Sequence, residues 1–189
     1  MPWSDWGGKK PEEIIASEIA WGVSSLDQQH METLADAILA AKKVFVYGAG
    51  RSGFMMQALA MRLGHLGLQV WVVGETTTPA IGPGDLLLVG SGSGQTRITL
   101  AMVEAARARQ ARTACITAHA DSPVARACDL KLLIPTPVTK VDRERPSHQP
   151  PGSLFEQCLL VVGDALVMHL MKRLGTTEEQ LRARHTKLE

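Results

Sequence analysis

Two short stretches rich in glycine and hydroxyl groups constrain this chain more than anything else in it. They are Gly48-Ala49-Gly50-Arg51-Ser52-Gly53 and Ser91-Gly92-Ser93-Gly94-Gln95-Thr96. Each follows a run of apolar residues of strand length, Lys42 to Tyr47 before the first and Leu86 to Val89 before the second. Each leads into apolar residues at helical spacing, over Ser52 to Leu66 and Gln95 to Gln110. Further short apolar runs at Gln69–Val73, Thr113–Thr117 and Leu130–Ile134 extend the alternation. Strand, loop and helix repeating at this interval predict a parallel sheet covered on both faces, a three-layer αβα sandwich. The runs are continuously apolar rather than alternating, as strands buried on both sides are.

The flanking segments fit around that sheet. Pro11-Glu12-Glu13 reads as a helix start, and apolar spacing carries helices over 11–41 with a break near Ser24-Ser25. The sheet occupies 42–135. Residues 136–152, rich in proline and charge, read as a long loop, which in a compact domain usually serves function. Residues 153–174 read as one long apolar helix, and 175–189 as a charged tail. The whole of 1–189 reads as a single domain.

Bulk properties narrow the function classes. A net charge of +1 with no basic run gives no reason to expect nucleic acid or an anionic membrane as partner. The longest apolar stretch, Cys158 to Met168, is interrupted by Asp164, so no membrane span is expected. The N-terminus lacks the apolar core of a signal peptide. Cys115, Cys128 and Cys158 are odd in number and set among apolar residues, which predicts reduced, buried thiols in a cytoplasmic protein. The six histidines show no metal-ligand spacing, and neither metal nor cofactor is expected.

A glycine-rich turn at a helix N-terminus presents backbone N–H groups and the positive end of the helix dipole, and both favour an anion. Ser52, Ser91, Ser93 and Thr96 add hydroxyl donors, while Gly92 and Gly94 keep the backbone bare. With strand order 2-1-3-4-5, the two loops leave adjacent strands at the switch point where open sheets bind ligands. The pair then makes one phosphate clamp. There is a rival: Gly48, Gly50, Gly53 and Glu75 also fit the dinucleotide fingerprint. Against it stand the polar Arg51 and Ser52, and a second hydroxyl-rich loop that a nicotinamide fold does not require.

These residues resemble the sugar isomerase (SIS) family. Its phosphosugar signature is similar to Ser91–Thr96. The segments GAGRSGFMMQALAMRLGHLG and VVGETTTP, the run Gln149-Pro150-Pro151-Gly152-Ser153-Leu154-Phe155-Glu156-Gln157, and Arg184-His185 with Leu188-Glu189 resemble its 6-phospho-3-hexuloisomerase branch. The resemblance spans nearly the whole chain. It implies a flavodoxin-like fold, a homo-oligomer (a tetramer), and interconversion of 3-hexulose 6-phosphate with fructose 6-phosphate, after formaldehyde fixation in the ribulose monophosphate route. It implies that Ser52 and Ser91–Thr96 hold the sugar phosphate and that Glu156 accepts the proton. Gln95 stands where the family more often has glutamate, at a position expected to face solvent or a neighbour. Pro151 and His148 also depart from the pattern.

The chemistry can be read beside that resemblance. Moving a carbonyl between C3 and C2 takes a proton from one carbon and returns it to the other through an enediolate, and one carboxylate can make both transfers. Hydrogen-bond donors, rather than a metal, can stabilise the oxyanion. The spacing Ser153-x-x-Glu156 on its own fits a capping box, in which the glutamate only ties down the helix start; the resemblance makes it the base. His65 reads as a helix-end residue, and the resemblance gives it a part in moving hydroxyl protons or opening the ring, in its own or a neighbouring subunit's site. Arg51 reads as a substrate contact. His185 in the tail and Glu75 at a strand end are further candidates for the site, Glu75 as a strand-end residue or a hydroxyl acceptor. His119 and Asp121 read as a turn and cap. Three other readings stay open: another phosphosugar aldose–ketose isomerase, a non-catalytic sugar-phosphate sensor on the same fold, for whose usual DNA-binding module the residues before 42 leave room for one or two helices only, and a nicotinamide enzyme.

Overall fold

The computed structural model describes residues 7–138 and 147–185. The first residues of the N-terminal arm, the middle of the 136–152 loop and Leu188-Glu189 therefore lie outside the described residues.

Two helices precede the sheet, α1 (Pro11–Val23) and α2 (Gln28–Ala40). The break between them falls at Ser24–Asp27, where Asp27 caps α2 by accepting from the backbone N–H of Gln29 at 2.8 Å and of His30 at 3.2 Å. Then come β1 (Val44–Gly48), α3 (Arg51–His65), β2 (Val70–Val72), β3 (Leu86–Gly90), α4 (Arg97–Ala108) and β4 (Arg112–Thr117). The chain continues through α5 (Pro123–Ala127), β5 (Leu130–Leu133), α6 (Ser153–Leu174) and α7 (Glu178–Arg184).

The five strands form one parallel sheet in the order β2-β1-β3-β4-β5, the expected arrangement. In the doubly wound dinucleotide order 3-2-1-4-5-6 the third strand lies beyond the second; here β3 sits against β1. Alternate residues of each strand feed two cores. Val44, Val46, Leu86, Leu88, Ala114 and Ile116 pack beneath α2, α3 and α6. Phe45, Leu87, Val89 and Cys115 pack beneath α4 and α5. Every residue of β3 is buried, as its uninterrupted apolar run implies. The edge strand β2 is shorter than expected and only half-buried.

Two features differ from expectation. The 22-residue α6 is by length and composition apolar enough to cross a membrane, with Asp164 too small an interruption to prevent it. That apolarity is used inside the protein: Leu159, Val162, Leu166 and Leu170 are buried in the larger core, where α6 packs on α3 and α1. The tail is not merely charged. It forms α7, capped by Thr177, whose hydroxyl accepts from the Gln180 N–H while the Gln180 side chain accepts from the Thr177 N–H. That Thr-x-x-Gln capping box was present in the sequence.

All three cysteines are free and buried. Burial raises the Cys158 thiol to about 11, with Glu18 contributing. The Cys128 hydrogen bond, followed by burial, pushes Cys115 up further still.

Candidate functional site

The two hydroxyl-rich loops leave the C-terminal ends of β1 and β3, which are paired neighbours with Gly48 opposite Gly90. The first loop turns sharply enough that a Cβ on Gly53 would lie 2.5 Å from the Gly48 carbonyl oxygen, and one on Gly48 only 2.8 Å from the Gly53 nitrogen. Neither position has room for a side chain, so strand end and helix start touch through backbone alone. In the second loop Gly94 sits at φ +59°, and a Cβ there would fall 2.0 Å from the Ser122 hydroxyl oxygen. The Gly94 carbonyl accepts from the Val124 N–H at 3.0 Å, and the Gly92 carbonyl accepts from Ala118 N–H at 3.1 Å. The loop is thus held against α5 and the end of β4.

Between the loops lies a cleft of about 170 Å³. Its lining is drawn from Ser52, Ser91, Gly92, Ser93 and Thr96 of the loops and from Val138, Pro151, Gly152, Phe155 and Glu156. Ser52 and Ser91 are buried, so their hydroxyls face a confined space rather than bulk water. Three helices begin at this cleft: α3 just after Ala49, α4 after its cap Thr96, and α6 after its cap Gly152. Each N-terminus carries roughly half a positive charge and N–H groups without helical partners. Three such ends on one small, hydroxyl-lined cleft favour a compact dianion such as a phosphate monoester. The sequence pointed to the first two ends. The third was hidden, because a Ser-x-x-Glu spacing drew attention to a cap.

That cap does not form. The left-handed Gly152, at φ +89°, is the N-cap, so Ser153 is already inside the helix and Glu156 is one position too far along for a capping box. The Glu156 backbone N–H donates to the Gly152 carbonyl at 3.1 Å, and its carboxylate Oε2 meets the Arg51 Nε at 2.8 Å. Arg51 is therefore turned toward Glu156, and it is not among the residues lining the cleft. The Glu156 side chain is 15% exposed, at the wall of the cleft. The site brings together loop hydroxyls, three helix N-termini and one carboxylate fixed by a guanidinium, which is what holding a phosphate and moving a proton beside it require.

A family model described as SIS domain matches residues 37–162, which include both loops and Glu156. This chain belongs to the SIS-domain family. A 3-hexulose-6-phosphate isomerase of Mycobacterium gastri is 42% identical over 176 residues, covering 93% of this chain and 88% of that protein. One of Bacillus subtilis is 35% identical over 93% of this chain and 95% of its own length. A crystal structure from Methanococcus jannaschii, for which a 3-hexulose-6-phosphate isomerase function is inferred, superposes with a TM-score of 0.82 at 31% identity, over 94% of this chain and 98% of that one.

Other candidates of the SIS domain lie away from the cleft. His65 ends α3, whose first turn borders the cleft; at 15 residues the helix is about 22 Å long and carries His65 to the opposite edge of the sheet. There its ring lies 4.8 Å from that of His185. The pairing arises because α7 folds back: Arg184 donates to the His65 carbonyl at 3.2 Å and lies over Gly67. Burial, then the neighbouring charges of His185 and Arg62, hold His65 below its ordinary value. Gln95 is exposed and faces a second cleft, along with His119 and Asp121. The backbone oxygen of His119 accepts from the Ser122 hydroxyl at 2.9 Å, and Ser122 caps α5, as the Ser122-Pro123 pair leads one to expect. Glu75 is exposed in the turn after β2. Pro151 forms part of the cleft wall, and the His148 N–H donates to Glu18. Among the described residues no cluster of histidine, cysteine or acidic side chains could hold a metal.

Proposed function

We propose that this chain is a 6-phospho-3-hexuloisomerase, interconverting 3-hexulose 6-phosphate and fructose 6-phosphate. The observation that carries the reading is Glu156, the one carboxylate among the described residues that line a cleft otherwise built for a phosphate. The relatives named as 3-hexulose-6-phosphate isomerases, matched over nearly their whole length, supply the substrate class.

In this mechanism Ser52, the Ser91–Thr96 loop and the three helix N-termini bind the phosphate and fix the chain of carbons. Glu156 removes the proton from C3 of fructose 6-phosphate. The electrons form a 2,3-enediolate, whose developing negative charge faces the positive helix ends. The carboxylic acid of Glu156 then returns the proton to C2 as the O3 hydroxyl proton passes to O2, and the carbonyl is left at C3. Arg51 holds the carboxylate in the orientation for both transfers. His65 and His185 act, in this reading, on substrate hydroxyl protons in a neighbouring subunit's cleft, since α3 carries His65 away from its own. A homotetramer would provide such a neighbour. Exposed Phe54 and Met61 on α3 and Leu160, Val161 and Met168 on α6 are apolar surface of the kind that subunit contacts cover. The cellular setting that follows is cytoplasmic, with the enzyme consuming the product of formaldehyde fixation.

The test is incubation with fructose 6-phosphate in heavy water, followed by NMR. Deuterium at C3, with 3-hexulose 6-phosphate appearing, is the expected result. Deuterium at C1 would mean an aldose–ketose isomerase working through a 1,2-enediolate. No exchange at either carbon and no new sugar phosphate would leave a binding protein.

A further inference from the structure

We propose that Glu18, outside the cleft, is a positioning residue that fastens the entry to α6 and thereby sets Glu156. The inference rests on the reading of Glu156 as the proton carrier. Glu18 lies on α1, and its carboxylate gathers donors from three successive residues distant in sequence. Oε2 accepts from the Ser147 hydroxyl at 2.6 Å and from the Gln149 side-chain amide at 2.9 Å. Oε1 accepts from the His148 backbone N–H at 2.8 Å. The Ser147 oxygen in turn accepts from the Gln149 N–H at 3.0 Å, and Gln149 is buried despite its polar side chain. The next residues pass directly into the site: the Pro150 carbonyl accepts from the Ser153 N–H at 3.0 Å, and Pro151 and Gly152 form the cleft wall.

The anchoring helix is closely packed. A Cβ on Gly22 would sit 2.6 Å from the Cys158 Sγ and 2.8 Å from the Thr136 Cγ2, so α1 lies hard against α6 and against the chain that leads to Val138. Val138 also lines the cleft. One helix therefore fixes both chain segments that bring Val138, Pro151 and Gly152 to the cleft. A carboxylate suits the task because it accepts at both oxygens and offers no competing donor. Burial by itself would raise the carboxyl, but the hydrogen bonds of Ser147, His148 and Gln149 outweigh it and hold Glu18 below its ordinary value, charged at neutral pH.

The experiment uses the full chain with Glu18→Gln and Glu18→Ala. It follows turnover of fructose 6-phosphate together with amide hydrogen exchange over 147–157. Glu18→Ala should lower kcat by about 10- to 100-fold, the scale of a small misplacement of a reacting group, with KM little changed because the phosphate loops are untouched. Glu18→Gln should fall between wild type and Glu18→Ala, since the amide keeps one acceptor. Exchange should rise over 147–157 and stay unchanged over 86–96. Unchanged kcat and local exchange in both variants would overturn the proposal, as would a uniform rise in exchange that tracks lowered overall stability. If the wild type moves no carbon-bound proton, the Glu156 reading fails, and the exchange arm still decides whether Glu18 fastens this segment.

Discussion

The Arg51 Nε and the Glu156 Oε2 stand 2.8 Å apart, joining the first turn of α3 to the first turn of α6. The arginine is more than half exposed and the glutamate nearly buried, so the pair is anchored from the glutamate's side. An ion pair of this exposure adds little to stability. Its value lies in orientation, and that is measurable by a double-mutant cycle. Glu156→Gln should lower kcat by about 1000-fold, the range of a lost general base, while fructose 6-phosphate still stabilises the protein in a thermal-shift assay. Arg51→Ala should cost about 10-fold in kcat, and the double variant should be no worse than Glu156→Gln alone. Fully additive losses would show that Arg51 acts on the substrate by itself.

The second loop makes a different demand. Gly94→Ala places a Cβ at φ +59° and against Ser122. The strained backbone alone should cost about 1–3 kcal/mol in urea unfolding. Calorimetry should find fructose 6-phosphate binding lost, because the hydroxyls of Ser91 and Ser93 are displaced together. Adding Ser122→Gly should recover part of the stability, since it removes the contact and leaves the dihedral strain.

Subunit mixing checks the place of His65. Neither His65→Asn nor Glu156→Gln should turn over appreciably alone. When the two are unfolded together and refolded, partial activity should return if a cleft draws its carboxylate from one chain and its imidazole from another. Activity that stays at the level of the separate variants would confine His65 to the end of α3.

The same histidine predicts an acid sensitivity of the fold. Its folded value lies below the ordinary 6.5. The unfolded chain therefore takes up a proton first as pH falls, and stability drops from about 6.5 downward until the folded form is protonated too. His65→Asn should flatten the dependence of the unfolding midpoint between about pH 7 and pH 5. An unchanged slope would mean that neither burial nor the neighbouring His185 and Arg62 perturbs His65.

The sheet was legible because its strands are uniform apolar runs punctuated by glycine: Leu86–Val89 is buried on both faces, and its sequence has no polar alternation to mislead. The pairing of the two loops followed from strand order. The span of α6 was read as it stands, 153–174; what the sequence left ambiguous was the role of Glu156 at its start. Ser153 and Glu156 have the spacing of a cap, yet Gly152 adopts the positive φ that starts the helix one residue sooner and frees the glutamate for Arg51. Contacts between distant segments were equally invisible. Nothing local marks Glu18 as the acceptor for Ser147–Gln149, and the return of α7 onto His65 depends on an arginine over Gly67. The capping residues of α7 were there to be read, but a run of charges hid them.

Glu156 stands on the opening turn of a 22-residue helix whose later turns bury one face, Leu159, Val162, Leu166 and Leu170, in the interior. Mechanically the carboxylate is mounted at the tip of a stiff rod clamped along its length. Opening that rod far enough to misplace the tip would cost nearly as much as unfolding the protein, so thermal agitation reaches the carboxylate only from the short stretch ahead of Ser153. Tuning of the chemistry by substitution is then channelled into Ser147–Gly152 and the helix that grips it, while α6 itself is free to change only in ways that keep the rod straight.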